Sequence, residues 1–203
     1  MRINKLTEQE LFRVLKVGVL LSAFILLVAC SPKLDWRTVQ SPQERYSALF
    51  PGKPDKLERH IPYQDQELNQ TLEAAKVDDD IYSIGTIQVP VNQAAVTEKI
   101  VVKLKSNLLD RAKASGGTVI EESTTYQTNN RQRLATTDYF ITFNLNERAQ
   151  QQMRVRWITR QSSNGDAMIY QVSVLHSNAN GDSPKILLSQ EEYANFFNEF
   201  YPE

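Results

Sequence analysis

Few residues in this 203-residue chain are of types that do chemistry. The single cysteine, Cys30, closes an apolar run that starts at Val17. The two histidines, His60 and His176, could meet and share a metal, but two ligands do not hold one, and a carboxylate such as Asp182 would have to complete the set. Asp78-Asp79-Asp80 sets three carboxylates side by side without the spaced oxygen ligands and glycine of a calcium loop. It reads as a hairpin turn, and no metal site is expected. Arg131, Arg133, Arg148, Arg154, Arg156 and Arg160 bias the second half toward arginine. Arg154, Arg156 and Arg160 could gather into an anion-binding patch, unless Glu121, Glu122, Asp138 or Glu147 pair with them. Neither Gly-x-Ser-x-Gly nor His-Glu-x-x-His occurs. A hydrolase would therefore need a deep polar cleft joining His60 or His176 to carboxylates. No catalytic residue and no cofactor is expected.

The elements that position Cys30 are the most informative. Arg2, Lys5, Arg13 and Lys16 precede the apolar run, which is the order of a secretory signal. The uncharged window between Lys16 and Lys33 is shorter than the roughly 20 apolar residues that a spanning helix prefers. A tilted signal anchor stays open as the alternative; under either reading the residues after Pro32 lie outside the cytoplasm. Leu27-Val28-Ala29-Cys30 resembles the lipobox of bacterial lipoproteins. That resemblance implies a diacylglyceryl group on the Cys30 sulfur, cleavage after Ala29 and acylation of the new N-terminus. Ser31, where an aspartate would favour inner-membrane retention, then implies sorting to the outer membrane, with the inner membrane as the other destination. Residues 1–29 form the helical signal peptide in this scheme, and 30–43 a lipidated N-terminus with a short polar tether. Trp36 in the tether either packs on the core edge or anchors at lipid headgroups.

Residues 44–203 are expected to form a single α+β domain, within the length prior for one core. The whole chain has formal net charge −1, and residues 1–29 carry four basic and two acidic residues, so the remainder is near −3. Without a basic excess on one face, no nucleic-acid partner is expected. With Cys30 assigned to lipid, no intramolecular disulfide can form, and core packing must supply the stability. Strands are expected over 45–50, 56–61, 67–77, 81–89, 118–127, 131–145, 153–160 and 166–176. Along 67–77, Leu68, Leu72 and Ala74 alternate with polar residues, which predicts one wet face. Asn92 can cap a helix running to Ala114, with Val96, Ile100, Leu104 and Leu108 as its stripe and Ser115-Gly116-Gly117 as its stop. Ser189-Gln190-Glu191-Glu192 has the form of a capping box for a last helix whose Tyr193, Phe196, Phe197 and Phe200 dock on the sheet.

The assembled expectation is an antiparallel sheet of about six or seven strands with one long helix and a C-terminal helix packed on it. The strand entering Leu49-Phe50-Pro51-Gly52-Lys53-Pro54, the paired strands, the long helix, the antiparallel run and a closing helix with Phe197 and Phe200 are similar to the PsbP-like family. The resemblance implies a sheet with helices packed on it and supplies no catalytic residues, since that family is diverse in role. The functional expectation is a non-catalytic, lipid-anchored periplasmic protein of the outer membrane that binds or supports another envelope component, with an envelope protein as partner. The alternative is a carrier or sensor of a small apolar or anionic ligand, built on the terminal helix or the arginine strands; a hydrolase comes third.

Overall fold

Three tight turns fix most of the architecture. Asp78, in the left-handed region at φ 50°, and Asp79 join strand β4 (Gln66–Val77) to β5 (Asp80–Val89). Arg131 at φ 65° turns β6 (Val119–Gln127) into β7 (Arg133–Asn146), and Gly165 at φ 91° turns β8 (Ala149–Gln161) into β9 (Ala167–His176). The computed structural model describes residues 34–63, 66–146, 149–179, 181 and 183–203. Leu27, Ala29, Cys30 and Ser31, and with them the expected signal and lipidation site, lie outside the described residues, as do Glu147 and Asp182.

With β3 (Asp55–Tyr63), these strands form a seven-stranded antiparallel sheet in the order β3-β4-β5-β9-β8-β7-β6. Helix α1 (Thr97–Ala114) carries the chain from β5 to the β6 edge, and the β6–β9 meander returns inward until β9 pairs with β5. A second, three-stranded sheet holds β1 (Arg37–Ser41), β2 (Tyr46–Phe50) and the short β10 (Tyr201–Pro202), with β2 in the middle. One turn of helix, α2 (Pro184–Leu187), and α3 (Glu191–Asn198) precede β10.

Because successive side chains of a strand point to opposite faces, each strand can serve two cores. On one face α1 packs Ile100 with Leu68, Ile87 and Ile169, and Ala112 with Ile141, Val155 and Trp157. On the other face the small sheet and α3 bury Tyr46, Phe50, Phe196, Phe197 and Phe200 against Tyr82, Phe140, Tyr170 and Val172. The rings meet mainly edge to face, with Phe50 and Phe196 centroids 5.2 Å apart and Tyr170 and Phe200 5.4 Å apart. The expected docking of the aromatic helix is met by Tyr193, Phe196 and Phe197, while Phe200 joins the same core from beyond the helix end at Asn198. Among the described residues, no helix is long and apolar enough to cross a membrane.

Several expectations need correction. The stretch read as a tether contributes β1, and the compact unit begins at Leu34. Pro42 belongs to the β1–β2 turn, and backbone pairing with β2 orders a segment whose side chains are mostly polar. Trp36 takes the core-edge option, edge-on to Tyr82 at 6.3 Å. The wet face of β4 is reversed near its middle: Leu72 is 39% exposed while Glu73 is buried. The small sheet covers the Glu73 side, where Ser41 donates to the Glu73 carboxylate, and α1 does not reach Leu72. Asn92 lies inside a 3₁₀ turn (Val91–Val96), and Val96, without a side-chain cap, precedes α1. Tight 3₁₀ turns at a helix start leave a side-chain cap little to do. Gln190 rather than Ser189 is the cap residue of α3, because Ser189 lies in the turn that buries Leu188 between the two helices.

Candidate functional site

The pleat decides the fate of the arginine strand. Val155 and Trp157 face α1, so Arg154 and Arg156 must point to the opposite face, beneath α2 and α3. Asp138 on β7 stands directly across from Arg156. Arg156 Nε donates to Asp138 Oδ1 at 2.6 Å and Nη2 to Oδ2 at 2.9 Å. Arg154 donates to the same Oδ2 from Nη2 at 2.6 Å and from Nε at 3.1 Å. The remaining reach of each fork ends on a backbone carbonyl: Arg154 Nη1 on Leu188 O and Arg156 Nη1 on Phe197 O, both at 3.1 Å. Both carbonyls close helical turns, where partial negative charge collects. The Phe197 ring lies 4.1 Å from the Arg154 guanidinium carbon. Arg156 is 1% exposed and Asp138 2%, and burial lowers the Arg154 pKa against the opposing pull of Asp138.

Arg160 goes elsewhere: it is half-buried and donates from Nε to the Glu203 carbonyl at 3.0 Å. The three arginines considered for an anion patch thus do not share one exposed surface. Two of them are held by Asp138, one of the four carboxylates that the sequence offered as partners, and fasten the C-terminal helices to the sheet through Leu188 O and Phe197 O.

The histidines are separated in the same way. His60 lies on the edge strand in the row of Asn69, Gln88 and Met168, whereas His176 pairs with Asp80 at the other end of β5 and β9. His176 Nδ1–H donates to Asp80 Oδ1 at 2.7 Å, and the Tyr193 hydroxyl donates to Asp80 Oδ2 at 3.1 Å. Burial, and then the Asp80 charge, raises the Tyr193 pKa, so its proton stays in that bond. Asp80 is the last residue of the triple aspartate, a run whose sequence signals only a turn. It bridges a sheet strand end to α3. Among the described residues, no three metal-binding side chains cluster.

His60 does line a polar cleft of about 480 Å³, together with Gln43, Glu44, Glu58, Thr71 and Gln88. Its carboxylates are taken: Lys56 Nζ donates to Glu44 Oε1 at 2.8 Å and lies 3.2 Å from Glu58 Oε1, while the Thr71 hydroxyl donates to Glu44 at 3.3 Å. The hydrogen bond to Glu44 is the main reason the Lys56 pKa is raised. The cleft thus brings His60 together with two carboxylates, the combination that the hydrolase alternative requires, and both carboxylates are held by one ammonium group. Beside it, Arg45 grips Asp166 with both terminal guanidinium nitrogens, and this pairing holds the Asp166 pKa below the usual carboxylate range.

No protein-family model matches this chain, and no curated protein is significantly similar to it.

Proposed function

We propose that this chain is a bacterial lipoprotein, cleaved after Ala29, acylated at Cys30 and held at the outer membrane, whose α+β unit binds or supports another envelope component without catalysing a reaction. Leu27 and Ala29 form the recognition site for cleavage and Ser31 directs sorting. The observation that carries this reading is the sequence order of basic residues, apolar run and Leu27-Val28-Ala29-Cys30, and the compact unit starts at Leu34. Lipid on Cys30 would be joined to Leu34 by at most about 14 Å of extended chain. Such a link keeps the domain at its membrane. The non-catalytic part is supported by how the chemistry-bearing side chains are used: Asp138 with Arg154 and Arg156, and Asp80 with His176 and Tyr193, join helix to sheet.

The PsbP-like assignment is part of the same proposal. An antiparallel sheet with the long helix on one face and the closing helix on the other, entered through Phe50-Pro51-Gly52, supports it. Substitution of Cys30 by Ala is expected to leave an uncleaved, unacylated precursor on a gel-shift and acyl-labelling assay. Normal maturation of Cys30→Ala overturns the lipoprotein reading. Crosslinking of the mature protein in cells, with the captured sites clustered on one surface and joined to one envelope protein, is the expected outcome for the binding role.

A further inference from the structure

A groove of about 790 Å³ runs between the end of β3 and one flank of α1, on the face of the sheet away from the arginine cluster. Ile61 and Tyr63 form its strand wall, and Ile100 and Leu104 its floor. Val102, 58% exposed, stands on its outer lip. Lys99 and Lys103 lie one helical turn apart on this flank, above the apolar floor. Neither makes an ion pair among the described residues, and the neighbours three and four places away on that flank are Ala95, Val96, Ser106 and Asn107, none of them acidic. Like charges at this spacing repel, so an anion between them relieves a cost built into the helix. Glu98 also lines the groove, but in a helix it points about 100° away from Lys99.

We infer that this groove binds a single-chain anionic amphiphile, a long-chain carboxylate, with its tail along Ile61, Tyr63, Ile100 and Leu104 and its carboxylate between Lys99 and Lys103. An apolar floor flanked by two ammonium groups selects a molecule that is apolar over most of its length and carries one anionic group. The volume, within the range of small-ligand pockets, suits one acyl chain and not the two chains and glycerol of a phospholipid. The inference goes beyond the anchoring proposal and stands whether or not Cys30 is acylated.

The test uses the full chain in phosphatidylcholine nanodiscs and a palmitate analogue bearing a photoreactive diazirine in its tail. Labelling is expected on the peptides containing Ile61–Tyr63 and Ile100–Leu104, and palmitate should compete for it while hexadecanol, which has the tail without the charge, should not. Lys99→Glu with Lys103→Glu should reduce labelling about tenfold or more, while Lys99→Arg with Lys103→Arg retains it. Both side chains stand on a helix surface, and an unchanged melting temperature of each variant shows that the fold is kept. Labelling spread over other surfaces, equal competition by hexadecanol, undiminished labelling of the charge-reversed variant, or displacement by phosphatidylglycerol in place of palmitate would each overturn the inference.

Discussion

Asp138 carries more than its own weight because two guanidinium groups depend on one carboxylate in a site closed to water. Removing it leaves two uncompensated charges under α3, and Asp138→Ala is expected to cost about 3–5 kcal/mol in urea unfolding. Asp166 makes a contrasting case at the rim. Its folded pKa lies below the unfolded value because Arg45 holds the ionised form, so the unfolded chain takes up the proton first. The stabilisation is present above the unfolded carboxylate range and disappears as pH falls through the folded pKa. Asp166→Asn should lower the melting temperature at neutral pH, and the gap from the parent should close in acid. The sequence made Arg154 and Arg156 legible as one face of a strand, and Asp138 as an available partner. It could not reveal that this face lies under α3, because the cover comes from residues some forty positions further along the chain, at Phe197.

At the scale of elements, sequence pattern located what was long and periodic. The α1 stripe and strands β4 to β9 stand within a few residues of their expected limits, since alternation and turn residues agree there. The short pieces escaped. β10 has two residues, one of them proline, and β1 is mostly exposed, so neither carries a hydrophobic signature of its own. Both exist because β2 lends them a backbone partner on each side. The end of α1 shows how tightly an element can depend on its neighbour. Gly116 takes φ 69° to end the helix, and a Cβ on Gly117 would stand 1.7 Å from the Thr142 carbonyl oxygen of β7. Gly116→Ala should cost about 1 kcal/mol for its left-handed backbone. Gly117→Ala should cost clearly more, because β7 or the helix end has to move, and comparison of the two urea midpoints measures the difference.

For the molecule as a whole, the decisive feature is that one sheet is covered twice, by different parts of the chain. Leu72 exposed beside Glu73 buried follows from the two covers being offset, and strand alternation alone cannot foresee it. The outer cover closes with the last three residues: Tyr201 and Pro202 pair with β2, the Glu203 amide donates to Arg45 O at 3.0 Å, and its carbonyl accepts from Arg160. Deleting Tyr201–Glu203 should cost about 1–3 kcal/mol through orphaned backbone groups, read from the urea midpoint. The pairing of β2 with β10 also sets an order in time. A strand laid down near the start of the folded unit waits for one laid down at its end, the slowest kind of contact for a chain to close. During synthesis, Tyr46 and Phe50 stay uncovered until Phe196 and Phe200 have emerged. Over that interval the half-built sheet is exposed to chaperones, to proteases and to other copies of itself.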